Sequence, residues 1–189
     1  MSPRPKIALD KNTIVLAAAE LANNYGSEYI TLASLAKKLN IKPPSLYNHF
    51  DGLPGIKREL ATFALEKLYN SLEEEAEGKS QGKEAVVALS QAYFTFARRN
   101  PGLYEFALSA PDPADERVHD IGNKIVGIVV SAIQPFGLEE KETIHAVRGL
   151  RSLMHGFASL EQKGGFGMPL DLDESYQLAV IAFIRGLKK

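Results

Sequence analysis

The sequence contains no cysteine. Disulfides and thiolate metal sites are therefore excluded, and a reducing compartment suits the chain. No run approaches the ~20 apolar residues that cross a bilayer; the longest, Ile125 to Ile133, is broken by Gly127 and Ser131. A secretory pattern is missing as well, since Ser2-Pro3-Arg4-Pro5-Lys6 leads straight into an amphipathic segment. A cytoplasmic protein without a membrane partner is expected. Alternation of period two is absent, so strands are not expected. Nor does one charge dominate: the net charge is −1, which argues against a general polyanion binder.

The charge is unevenly placed, however. Residues 1–60 carry eight Lys/Arg against five Asp/Glu, whereas the remainder carries fourteen against eighteen. A basic front on an acidic rear would orient the molecule on a phosphate surface. The 189 residues suffice for one ordinary domain or two small ones, and 45% apolar residues are normal for a folded chain.

Helix follows helix along the chain, so the fold class is all-α. Ile14, Ala17, Ala18, Leu21, Ala22 and Tyr25 mark a first helix over 11–25, with Asp10 as its N-cap and Gly26 as its stop. Thr31 is expected to cap a second, with Leu32, Leu35, Ala36 and Leu39 as its buried stripe. Asn40 tolerates the left-handed conformation a tight turn needs. Ile41 plugs the gap, and Pro43-Pro44 sit where a third helix begins, buried through Leu46 and Phe50. Asp51-Gly52-Leu53-Pro54-Gly55 breaks the chain. Further helices are expected at 54–77, 83–99, 101–109, 114–134, 139–163 and 172–187, with loops at Gly78–Gly82, Pro111–Pro113 and Gly164–Pro169.

Residues 32–50 carry the chemistry. Two helices of about seven residues joined by a short turn make a helix-turn-helix, although an ordinary corner of a bundle satisfies the same pattern. One α-helix fits the major groove and offers its first turns to base edges. With Leu46 and Phe50 facing inward, Pro43, Pro44, Ser45 and Asn48 point outward. Ser45 and Asn48 can hydrogen-bond bases or phosphates, while the proline rings offer apolar contact, for example to a thymine methyl. Lys42, Tyr47 and His49 flank this face and suit phosphate oxygens.

Ser45-Leu46-Tyr47-Asn48-His49-Phe50, preceded by Thr31-Leu32 and Ile41, closely resembles the recognition segment of TetR-family regulators, with its Leu-Tyr-x-His-Phe hallmark. The resemblance covers residues 11–58. It implies an N-terminal three-helix DNA-binding domain over 1–53. Behind it, over 54–189, it implies a ligand-sensing and dimerisation bundle of about six helices. It further implies a ligand-responsive regulator, expected to be a repressor: a homodimer on a palindromic double-stranded operator, released by a small-molecule effector that is not identified. Phosphate contacts fall on Thr31, Tyr47 and His49, and base readout on Pro43, Pro44, Ser45 and Asn48. The chain departs from the pattern at three places. Asn40 replaces a turn glycine, Lys42 replaces a Ser or Thr cap, and Leu53 replaces a lysine for which Lys57, one turn on, can substitute. Met154-His155-Gly156-Phe157 with the following glycine-rich loop resembles the subgroup named for a Trp-His-Gly triplet, with Met154 in the tryptophan's place.

Tyr93, Phe94, Phe96, Tyr104 and Phe106 are dense for a chain with 8% aromatics. At helical spacing such residues form core; alternatively part of the cluster, with Phe63, lines an apolar pocket. Val147, Leu150, Met154 and Phe157 on one helix, and Tyr176, Val180 and Phe183 on the last, form stripes expected to pair subunits. Burial within one subunit satisfies the same stripes, and the two-fold symmetry of palindromic sites favours pairing. Gly164-Gly165-Phe166-Gly167 follows a helix and precedes acidic residues, so it reads as a connector with Asp171 or Asp173 as the next cap. His145 and His155, ten residues apart on one helix, are not read as a metal pair. No metal, cofactor, nucleophile–base pair or acid–base carboxylate pair is expected, hence no enzyme. A helical protein-interaction module without DNA binding is the alternative.

Overall fold

Asp10 opens the first helix because its side chain replaces a missing backbone partner: the Thr13 N–H donates to its carboxylate at 2.7 Å. The helix it starts, α1, spans Lys11–Tyr25 and ends at Gly26, whose φ of 89° only glycine adopts freely. The computed structural model describes residues 9–76, 81–108 and 115–187. Among them are α2 (Leu32–Leu39), α3 (Gly52–Ala76), α4 (Lys83–Arg99), α5 (Pro101–Leu108), α6 (Glu116–Ile133), α7 (Glu140–Gln162) and α8 (Leu172–Gly186). Short 3₁₀ segments cover Ser27–Tyr29, Pro43–Asn48 and Gln134–Phe136, and no strand occurs among the described residues. The expected all-helical fold is therefore present, with six helices behind the N-terminal group among the described residues. The expected loop at Pro111–Pro113 and the break at Gly78–Ser80 lie outside the described residues.

The Asp10 cap makes a testable prediction. The Thr13 backbone N–H, then its hydroxyl, hold the carboxyl below the usual carboxylate range, with His49 as a smaller electrostatic contributor. A carboxyl depressed on folding contributes stability that is complete above its unfolded pKa of ~3.9 and is lost as pH falls through the lower folded value. Asp10→Ala should lower the melting temperature at neutral pH. The gap from wild type should narrow between about pH 5 and about pH 2 in circular-dichroism melts.

The described chain divides into two compact units: 9–64 with 100–108, and 65–76, 81–99 and 115–187. In the first, α1, α2 and the start of α3 bury Ile14, Ala18, Leu35, Leu46, Ile56 and Leu60. The chain returns to this unit much later, when α5 packs on α1. Asn23 ties the two: its side-chain oxygen accepts from the Leu103 N–H at 3.0 Å, and its side-chain nitrogen donates to Asn100 at 3.2 Å. Gly102 permits the approach, because a Cβ there would fall 2.1 Å from the Ala22 carbonyl oxygen.

In the second unit α4 is the central helix, touched by α6, α7 and α8. Phe94 stacks on Tyr176 at 4.2 Å, and the Tyr176 hydroxyl donates to the Ser90 carbonyl at 2.7 Å. Burial, followed by the nearby Tyr93, pushes the Tyr176 hydroxyl well above the ordinary tyrosine value, so it stays a donor. Arg98 joins three helices at the surface. Its guanidinium meets Glu161 of α7 at 2.9 Å and Asp173 of α8 at 2.5 Å while lying 4.1 Å over the Phe94 ring. Those hydrogen bonds, Glu161 first, raise its pKa further above the ordinary arginine value. Asp171, one of the two expected caps, opens α8 by accepting from the Asp173 and Glu174 N–H groups.

Candidate nucleic-acid interface

The turn is built one residue at a time. Thr31 and Ser34 cap the start of α2 reciprocally: the Ser34 N–H donates to the Thr31 hydroxyl and the Thr31 N–H to the Ser34 hydroxyl, both at 3.0 Å. At the far end Asn40 takes φ 54°, ψ 45°, the left-handed geometry its short side chain tolerates. The Ile41 N–H then returns to the Ala36 carbonyl at 3.0 Å, which reverses the chain.

Here the structure corrects the sequence reading. The third element is not a seven-residue α-helix but a six-residue 3₁₀ segment, Pro43–Asn48. The two prolines supply no N–H, and a residue before proline is pushed away from helical dihedrals. Lys42, before Pro43, is accordingly extended at ψ 141°. What remains before the Asp51-Gly52 break is too short to propagate an α-helix. The Ser45 N–H bonds the Lys42 carbonyl at 2.9 Å and the His49 N–H bonds the Leu46 carbonyl at 3.0 Å, both closing three-residue turns.

The facing of the side chains is as expected nonetheless. Leu46 and Phe50 are 1% and 7% exposed and form the back of the segment. The Lys11 ammonium lies 5.6 Å over the Phe50 ring. Lys42, Pro43, Pro44, Tyr47 and Asn48 are exposed, as is Thr31, while Ser45 and His49 are half-buried. Tyr47 is 60% exposed yet supported, because a Cβ on Gly52 would lie 3.7 Å from its ring edge. Lys57 is half-buried, whereas Arg58, passed over in the sequence reading, is exposed beside it. The resulting face has no acidic residue between positions 31 and 50. Hydroxyl, amide and imidazole groups stand beside a cation on one short rigid segment, an arrangement suited to phosphate and base edges.

The other expected sites fall differently. Tyr93, Phe94 and Phe96 are buried in the second unit, and Tyr104 and Phe106 are buried in the first with Phe63 half-buried. None of them lines a hollow of about 310 Å³ in the second unit, which is bounded by Ala76, Gln81, Ala85, Leu89, Gly127, Ile128, Ser131 and Ala132. Across that hollow the Gln81 side-chain amide donates to the Ser131 hydroxyl at 3.2 Å.

Leu150, Met154, Tyr176 and Val180, read as subunit contacts, are at most 5% exposed within one chain and leave no surface for a partner. Val147, Phe157 and Phe183 are half-buried. Phe157 meets Phe166 and Tyr176, and Phe183 reaches to 3.0 Å of a Cβ position on Gly149. Leu150, Met154, Tyr176 and Val180 therefore face their own chain, while Val147, Phe157 and Phe183 keep part of their surface open. Among the described residues no group of three or more metal-ligating side chains gathers, and no single helix is long and apolar enough to cross a membrane.

Residues 86–183 match the family of tetracyclin repressor-like C-terminal domains. A Bacillus subtilis relative described as an uncharacterized HTH-type transcriptional regulator, YobS, is 41% identical over 97% of this chain and 95% of its own length. A Rhodococcus protein of unknown function shares the fold with a TM-score of 0.83 at 20% identity, covering 99% of this chain and all of that one. The TetR-family regulator PfmR of Thermus thermophilus aligns at a TM-score of 0.69 and 18% identity over 97% of this chain and all of its own. An Acinetobacter baumannii TetR variant, solved in complex with minocycline, does so at 0.69 and 19%, covering 94% of this chain and 96% of that one.

Proposed function

We propose, from the premise that the chain belongs to the TetR family of helix-turn-helix transcriptional regulators, that it is a cytoplasmic homodimeric repressor released from a palindromic operator by a small molecule. The family regulates transcription and is not a family of enzymes. The observation that carries the reading is the outward face of 43–48, with Leu46 and Phe50 anchoring its back. Residues 1–53 are taken as the DNA reader and 54–189 as the sensing and pairing part. Each subunit lays the Pro43–Asn48 segment in the major groove, with half-sites one helical turn, about 34 Å, apart.

Thr31, Lys42, Tyr47 and His49 hold phosphates, together with Lys57 or the more exposed Arg58. Pro43, Pro44, Ser45 and Asn48 meet bases. The effector is assigned to the second unit, where the hollow bounded by Ala85 and Gly127 offers mostly apolar walls and one amide–hydroxyl pair. It acts only through unequal affinity for two spacings of the readers, reached by tilting α3. The similarity of Met154-His155-Gly156 to the Trp-His-Gly subgroup belongs with this proposal.

The test is binding to the duplex upstream of the chain's own gene. Tyr47→Ala should weaken every sequence alike, by about tenfold, whereas Ser45→Ala should cost ~1 kcal/mol of preference at one position. Fluorescence anisotropy on operator and scrambled duplexes separates the two. Absence of specific binding to any duplex at moderate salt would return the protein to the class of helical interaction modules.

A further inference from the structure

The hollow in the second unit is made of missing side chains. Ala76, Ala85, Gly127 and Ala132 each leave room on its walls that a larger residue would fill. Gly127 sits within α6, where glycine weakens a helix relative to alanine. No close approach asks for it, because a Cβ there would meet nothing within 4 Å. At about 310 Å³ the space lies at the small end of ligand sites. Ala85, Leu89 and Ala132 are buried and form an apolar floor, while Gln81 and Ser131 stand exposed at the rim.

No charged side chain lines the hollow. Glu73-Glu74-Glu75 precede Ala76 on α3, and Glu73 accepts from the Tyr69 hydroxyl, but none of the three borders the space. Lys83 and Glu84, at the start of α4, do not border it either. An ion of either sign would therefore lose hydration on the apolar floor without gaining a countercharge.

The polar part of the rim is equally selective. The Gln81 amide donates to the Ser131 hydroxyl at 3.2 Å. That bond uses one amide hydrogen and one hydroxyl lone pair, so Gln81 keeps its carbonyl oxygen to accept and Ser131 its hydroxyl hydrogen to give. An acceptor and a donor side by side suit a group that both gives and takes a hydrogen bond. A carboxylate can only accept and an ammonium can only donate.

We infer that the hollow takes an uncharged, slender apolar molecule bearing one carboxamide or hydroxyl group, with Gln81 and Ser131 on that group and the apolar body over Ala85 and Leu89 beside Gly127. The inference rests on the effector reading above and names the chemical class of that effector.

The experiment uses the full-length chain and three probes, 2-naphthamide, 2-naphthoate and 2-naphthylmethylammonium, which share one flat ring and differ in charge. The chain has no tryptophan, so the anisotropy of naphthyl fluorescence reports binding against a quiet protein background. The amide should bind about tenfold more tightly than either ion, or better. Ser131→Ala should weaken the amide by about three- to tenfold. Gly127→Leu, which sets a side chain into the hollow, should abolish amide binding while the melting temperature stays at or above that of wild type. Either ion binding as tightly as the amide overturns the chemical class and leaves the hollow as the effector's place. Amide binding that survives Gly127→Leu, or no binding by any of the three, overturns the inference. Operator titrations run beside these separate the two readings. Amide bound in the hollow with operator affinity unchanged supports the chemical class and overturns the effector reading.

Discussion

Gly102→Ala should lower the melting temperature by about 6–12 °C, equivalent to about 3 kcal/mol for a chain of this size. A Cβ at this position would lie 2.1 Å from the Ala22 carbonyl oxygen, 2.2 Å from its carbon and 2.7 Å from the Asn23 nitrogen. All three are backbone atoms in α1, so no rotamer change relieves the clash. α5 must retreat, and the Asn23 hydrogen bonds to Leu103 and Asn100 stretch with it. Alanine gains at most ~1 kcal/mol in helix propensity, less near the first turn, so the steric cost wins. Thermal denaturation followed by circular dichroism checks this. An unchanged melting temperature would mean that α1 and α5 do not touch as described. Asn23→Ala should move in the same direction by a smaller amount, because it deletes partners without adding bulk.

The second large effect is expected at Leu46, which is 1% exposed. Truncating a buried leucine to alanine costs about 2–5 kcal/mol through lost burial and the cavity left behind. The loss is concentrated functionally. Pro43 and Pro44 donate no backbone hydrogen bonds, and a 3₁₀ segment of six residues is too short to be stable alone. Its orientation therefore depends on the Leu46 and Phe50 side chains rather than on helical rigidity. Leu46→Ala should reduce operator affinity by about a hundredfold or more, beyond the loss from any single exposed residue on the face. Leu46→Met, which conserves volume, should retain most of it. Anisotropy titrations beside equilibrium unfolding separate a misplaced reader from a globally unfolded chain. Undiminished affinity in Leu46→Ala would show that the segment holds itself in place.

Much of this was legible because local chemistry decides it. Asp10 and Gly26 delimit α1 as read, since a cap and a stop act on their immediate neighbours. Thr31, Asn40 and the inward pair Leu46 and Phe50 were legible for the same reason. The 3₁₀ geometry of 43–48 was missed although its cause was in view: the second proline acts on the first as strongly as on itself. The seating of α5 on α1 had no local signal, because Asn23 and Leu103 are partners 80 residues apart. The misread subunit contacts have another origin. An apolar stripe announces burial but not the owner of the opposing surface, and Leu150, Met154, Tyr176 and Val180 turned out to face their own chain.

The late return of the chain to its first unit has a bearing on how the protein is made. When residue 64 leaves the ribosome, the reader still lacks the helix that rests on Ala22 and Asn23, and α5 emerges only after the whole of α4 has been synthesised. The nascent reader therefore waits for more than thirty further residues before that side of α1 is covered. A gene fragment cut after α3, or a head grafted from a relative without its matching α5, would carry the same bare patch permanently.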